Sequence, residues 1–183
     1  MLRGCVTLWC LTQCALAGSL PRADSSWKTY YNPQGHYCVD YLSRWVSGDA
    51  FEGAGFYLYP PSRSLTEIDV AVVADRSETS TLPEEVQVHW DGLTRFGLAE
   101  RIQPLEQHDA QLSGRPALFT KNTYYDPQNH AMMVDEIILS MEAGRLYRLE
   151  LSSGAEELKR SEPLFQRLVS SFQFDCQPPA TRR

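Results

Sequence analysis

Residues 134–152, VDEIILSMEAGRLYRLELS, constrain the fold more than any other stretch, because two apolar-alternating runs meet at a glycine. Ile137, Leu139 and Met141 share one face at period two, and Tyr147, Leu149 and Leu151 do the same on the return. Such alternation marks paired strands with one buried face. A two-residue loop at Ala143-Gly144 would set Leu139 opposite Arg148 and mix the faces. A three-residue loop ending at Arg145 instead aligns Met141 with Tyr147 and Leu139 with Leu149, with Gly144 supplying a positive φ, and is the expected turn. The outward set is then Glu136, Glu142, Arg148 and Glu150, read as a solvated scaffold surface.

A chain of 183 residues with 43% hydrophobic content suffices for one domain with a proper core. Its amino terminus reads as a secretory signal over residues 1–17: a positive Met1-Leu2-Arg3, an apolar run from Gly4 to Cys14, and the cleavage pattern Ala15-Leu16-Ala17. That run is too short to span a bilayer as a mature helix. The outline Leu11-Thr12-Gln13-Cys14 offers a competing lipobox, with a lipid anchor at Cys14, but Gln13 is not the small residue such a box needs. Residues 18–26 form a polar, flexible tether, 27–176 the domain, and 177–183 a disordered tail.

Removing the leader takes out Arg3, leaving 16 basic residues against 23 acidic ones and moving the net charge from -6 to -7. An acidic surface without a Lys/Arg cluster argues against nucleic acid and anionic lipid as partners. Of the five cysteines only Cys38 and Cys176 lie outside the leader. Two cysteines in an exported protein point to one disulfide, closing the domain end to end; the alternative is two separate buried thiols.

Along the chain, a turn at Asn32-Pro33-Gln34-Gly35 precedes a strand from His36 to Tyr41 and a loop reaching Trp45. Phe56 to Tyr59 and Ile68 to Ala74 read as strands, the second apolar enough for a central position. From Ser80 to Gly97 the spacing turns helical: Val86, Trp90, Leu93 and Phe96 form a stripe, Thr81 and Glu84 a capping box, and Gly97 the C′ residue. Leu105 to Leu112 and Pro116 to Tyr125 are strands turning at Gly114, and residues 126–129 turn into the hairpin. Ser153 and Glu156 read as a second capping box before a helix that Pro163 interrupts or restarts. The stripe Leu164, Phe165, Leu168, Val169 and Phe172 packs that helix on the sheet, with an edge strand at Phe172-Gln173-Phe174.

Several of these pieces together resemble the PsbP-like superfamily: the aromatic-Asn-x-x-Gly before the first strand and Trp45 after it; Leu82-Pro83-Glu84-Glu85 opening the first helix; Gly114-Arg115-Pro116-Ala117; Tyr124-Tyr125; Gly144-Arg145-Leu146-Tyr147; and Phe165 with Val169-Ser170-Ser171-Phe172. The resemblance covers Trp27 to Phe174. It implies an α+β fold, an α-β-α sandwich on a mainly antiparallel sheet, and a small exported accessory protein without enzymatic activity. The family's best-known members support the lumenal side of photosystem II and help retain calcium and chloride there. A calcium-related role is therefore an alternative that rests on the resemblance alone, and this chain lacks the basic amino-terminal arm of the plant type.

Searched for chemistry, the sequence has no HExxH, no CxxC, no Gly-rich phosphate loop and no GxSxG elbow. His89 with Asp91, His108 with Asp109, and His130 with Asp135 could each offer two metal ligands, short of the three protein ligands of a catalytic zinc site. The expectation is thus no catalytic residue, no metal and no cofactor. Trp27, Tyr30, Tyr31 and Trp45 crowd the first strand and are the candidate surface for a membrane-associated protein partner. The competing class is a hydrolase or metal-dependent enzyme, which would need a cleft holding His130 or His108 with converging carboxylates.

Overall fold

In the computed structural model, residues 26–50, 53–73 and 80–177 are described. The expected signal peptide, the lipobox cysteine Cys14, the tether before residue 26 and the tail beyond residue 177 lie outside them. The elements in chain order are β1 (Trp27–Asn32), β2 (Tyr37–Leu42), β3 (Val46–Ala50), β4 (Gly55–Tyr59), β5 (Glu67–Val73), α1 (Leu82–Arg95), β6 (Glu100–Leu112), β7 (Arg115–Asp126), β8 (Ala131–Glu142), β9 (Arg145–Gly154), α2 (Leu158–Ser171) and β10 (Gln173–Phe174).

Seven strands form one antiparallel sheet in the order β3-β4-β5-β9-β8-β7-β6, and β1-β2-β10 form a small second one. β5 occupies the interior position its apolar run demands. One face of the large sheet carries Phe56, Ile68, Val70, Ile138, Leu149 and Leu151, which pack with Phe165, Leu168 and Phe172 at α2 and with Tyr37 and Val39 of β2. The other face carries Leu118, Tyr124, Met133, Ile137, Leu139 and Leu146 beneath Val86 and Trp90 of α1. The protein is thus an α+β, α-β-α sandwich. Each fully buried aliphatic side chain in these cores stabilises it by about 1.5–3 kcal/mol.

The hairpin departs from expectation. Its register pairs Met141 with Leu146, Leu139 with Arg148 and Ile138 with Leu149, around the two-residue loop Ala143-Gly144. Both loop residues are left-handed, at φ 50° and 72°, the primed turn whose twist suits paired strands. A three-residue loop follows only if one face of the hairpin meets solvent, and here helices cover both faces. Arg148 opposite Leu139 therefore breaks no inside-outside rule. For the same reason the supposed solvated set is not solvated: Glu136 is 1% exposed and Glu150 7%. Glu136 instead pairs with Lys121 from β7.

The α1 capping box forms as read, Thr81 Oγ1 accepting from the Glu84 N–H and Glu84 accepting from the Thr81 N–H. Gly97, at φ 66°, follows the helix end. Phe96, however, is 75% exposed, because the helix ends at Arg95 and Phe96 turns away from the stripe. The second capping box does not form. Ser153 is buried and bonds instead to Thr66 and Ser161, while Glu157 accepts from Ser64 and Thr66, so these side chains tie the approach to β5 onto β9 and α2. α2 also runs through Pro163 without a break, since a proline in the second turn forfeits one helical hydrogen bond while packing of the opposite stripe persists. Two strands the sequence hid, β1 and β3, flank the turn regions; β1 pairs with β2 and β3 with β4. Cys38 and Cys176 form a disulfide with Cα atoms 5.9 Å apart, holding the segment after β10 against β2.

Candidate functional site

Beneath α1, the sheet carries charges where a core would be expected. On the α1-facing side, Asp69 of β5 lies directly opposite Glu150 of β9, and Glu150 opposite Ile137 of β8. Asp135 sits two residues before Ile137 on the same face, and Arg148 two residues before Glu150, as the period of two requires. Like charges opposed across a ladder repel, and Arg148 relieves this: its Nε lies 2.8 Å from Glu150 Oε2 and its Nη2 3.7 Å from Asp69 Oδ1.

From above, α1 adds His89. Val86, His89, Trp90 and Leu93 follow the i, i+3, i+4, i+7 spacing of a core-facing stripe. His89 Nε2 points at Glu150 Oε1, 3.5 Å away, and at Asp135 Oδ2, 3.8 Å away. Its Nδ1 lies 2.8 Å from Arg148 Nη1. Asp135 is fully buried, and neither of its carboxylate oxygens has a hydrogen-bond partner among the described residues; the same holds for His89 Nε2.

Burial drives the protonation of this group. It pushes Asp69 up to about 8, with the Glu150 charge adding to it, and raises Asp135 well above the carboxylate range, again with Glu150. On Glu150 burial acts upward too, but Arg148 and His89 overcome it and hold the carboxyl low. For His89, burial acts downward, and Glu150 and Asp135 outweigh it, pulling the ring up to about 9. The Arg148 N–H at Nδ1 requires a lone pair there, which an imidazolium lacks. That contact belongs to the state in which Asp69 and Asp135 hold the protons and the ring is neutral.

Two clefts flank the group. One of about 410 Å³ is lined by Glu67, Tyr124, Asp126, Glu150 and Ser152, with Leu93 at its border. The other, about 280 Å³, is lined by His89 and Arg148 with Val73, Val88 and Phe96. Val73, Val88 and Phe96 are 38%, 52% and 75% exposed, an apolar rim on the α1 side of the molecule.

The side chains of the three histidine–carboxylate pairs that the sequence spacing offered as two-ligand groups do not pair. Asp91 accepts from Gln87 on the solvent side of α1. His108 stacks on Phe119 and lies 3.4 Å from Glu106. His130 sits in the exposed turn before β8, near the Tyr125 hydroxyl, while Asp135 is buried in mid-strand. Asp69, Glu150 and Arg148 were missed because strand charges were assigned to solvent; the helical stripe through His89 was the signal that could have found its partners. Of the aromatic set, Tyr30 stacks on Phe56 at 4.0 Å, Trp27 lies under the Arg167 guanidinium at 4.0 Å, and Trp45 packs against the first core. Tyr31 is half-buried at the rim of a cleft with His36 and Asp175.

The calcium that the family resemblance implies does not suit this group. Calcium takes six to eight oxygen ligands, whereas His89, Asp135 and Glu150 offer one imidazole nitrogen and two carboxylates.

No family model matches the sequence, and no curated protein does. Among solved structures, the solution structure of cyanobacterial PsbP (CyanoP) from Synechocystis sp. PCC 6803 matches with a TM-score of 0.64 at 12% identity, covering 87% of this chain and 98% of that one. A Bacteroides thetaiotaomicron protein matches at TM-score 0.54 and 10% identity over 82% of this chain, which spans 49% of that one. A protein of unknown function from Pseudomonas aeruginosa, PA94, matches at TM-score 0.52 and 9% identity, covering 85% and 99%. The fold is PsbP-like.

Proposed function

We propose that the protein is a non-catalytic exported accessory module that docks on a membrane-associated assembly or envelope partner. The observation that carries this reading is the PsbP-like fold, matched over 98% of the CyanoP chain. The Cys38–Cys176 disulfide fits an oxidising compartment. Among the described residues no helix is long and apolar enough to cross a membrane. The exposed rim of Val73, Val88 and Phe96 is the surface offered first to a partner, with the β1 aromatics Trp27, Tyr30 and Tyr31 and Trp45 of the turn before β3 as the second. Crosslinking in cells followed by purification of the tagged full chain tests it. Specific recovery of an envelope or membrane protein supports the module, and recovery of nothing beyond the untagged control contradicts it.

A second reading has its own observation. His89 converging with two buried carboxylates of shifted protonation is the arrangement of an acid–base or metal-dependent enzyme. It ranks second because the hydroxyl of the neighbouring Ser152 is engaged by the Tyr124 hydroxyl, 2.8 Å away. Turnover of ester, phosphoester or glycoside substrates that disappears in Glu150→Gln would reverse the order. A photosystem II-type extrinsic role rests on likeness to CyanoP alone, and the donor set at His89 argues against its calcium-related part.

A further inference from the structure

We propose that His89, Asp135 and Glu150 bind one divalent transition-metal ion of the zinc class, clamping α1 to β8 and β9. The proposal is independent of the docking function. Its first support is geometric. The ligand atoms of the three residues lie within 4.8 Å of one another, with Nε2 3.5 Å from Glu150 and 3.8 Å from Asp135. Ligands about 2.1 Å from a tetrahedral zinc stand about 3.4 Å apart, so small side-chain rotations bring all three to one ion.

The second support is the state of the donors. Asp135 has a fully buried side chain, its Oδ2 facing His89, whose two oxygens have no hydrogen bond among the described residues, and His89 Nε2 has none either. Buried polar atoms in folded proteins are otherwise partnered. Third, Arg148 is one guanidinium against the three carboxylates of Asp69, Asp135 and Glu150. An ion would displace the carboxyl protons, and with all three carboxylates then ionised and the ring neutral, the two positive charges still wanting are those a divalent ion carries.

The donor chemistry selects among ions. One imidazole with two carboxylates suits zinc and its transition-metal neighbours, whereas calcium demands an all-oxygen shell. Three protein ligands leave a fourth position for water or for a group arriving through either cleft, since Glu150 borders one and His89 the other. Coordination through Nε2 places the ring proton on Nδ1, so Arg148 Nη1 must turn away. Arg148 is 22% exposed along the cleft and keeps Asp69 and Glu150 as partners. Arg148 therefore competes with the ion.

Isothermal titration of the EDTA-treated full chain with zinc chloride tests this, alongside titration with calcium chloride. The expected result is one zinc per chain, no calcium uptake, and a visible cobalt(II) spectrum of low coordination number when cobalt replaces zinc. Glu150→Gln and His89→Gln should weaken zinc by roughly tenfold or more, Arg148→Met should tighten it, and His108→Ala should leave it unchanged. The wild-type cobalt spectrum gives an answer even where a buried variant fails to fold. Absence of zinc binding, or binding unaltered in Glu150→Gln and His89→Gln and abolished by His108→Ala, overturns the proposal.

Discussion

Removing the Cys38–Cys176 bridge tests how the two ends of the domain are held. The bridge joins residues separated by 138 positions, and for a loop of that length the chain-entropy treatment gives on the order of 5 kcal/mol at room temperature. Native contacts at the junction survive without it. Gln173 and Phe174 still pair with Cys38 and Tyr37 on β2, and Phe172 and Phe174 still pack on Tyr147. The loss should therefore come mainly through the unfolded chain, which gains freedom and exposes more surface. In urea unfolding followed by circular dichroism, the Cys38→Ala/Cys176→Ala variant should lose about 3–5 kcal/mol and show a steeper denaturant dependence. A loss under about 1 kcal/mol with an unchanged slope would refute the reasoning.

Two further predictions concern the sheet and its turns. Asp69, with a folded value of about 8, and Asp135 hold protons more tightly folded than unfolded. Each therefore contributes stability that is present below the unfolded carboxylate range near pH 4 and lost as pH rises through the folded value. Urea midpoints should fall between about pH 4 and pH 8, at most ~1.4 kcal/mol per pH unit for each proton involved. Asp69→Asn should flatten part of that slope, and a profile that rises over this range contradicts the protonation argued for the group. At the turn before β2, a Cβ on Gly35 would lie 2.6 Å from the Tyr37 ring and 2.8 Å from the Ala54 carbonyl oxygen. Gly35→Ala should cost about 1–3 kcal/mol in thermal or urea unfolding, and a neutral outcome would show that this turn moves freely.

What the sequence made legible follows from how local each signal is. The α1 capping box, Gly97 beyond the helix and the turn at Gly114 depend on a few adjacent residues, and each lies where local chemistry puts it. The hairpin register depends on what covers each face, which two-residue periodicity cannot tell when helices lie on both sides. Leu139 opposite Arg148 looked like an error and is the actual pairing. The candidate site was hidden for the same reason. Glu150 and Asp135 alternate with Leu149, Leu151 and Val134 as solvent-facing residues do, and only the placement of α1 buries them. Pro163 shows the limit of a propensity argument, since one lost helical bond did not outweigh the packing of Phe165 and Leu168.

The central claim, that this PsbP-like domain works by docking on a partner, is tested most directly by a photo-crosslinking side chain placed in living cells at Phe96, on the exposed rim beside α1, with Tyr31 and Glu162 as comparison positions. The account predicts one defined crosslinked species with a membrane or envelope protein from Phe96 and none from Glu162 on α2; a species from Tyr31 alone would move the interface to the aromatic first strand. No crosslinked species from Phe96 or Tyr31, in cells where the protein is folded and abundant, would contradict the claim.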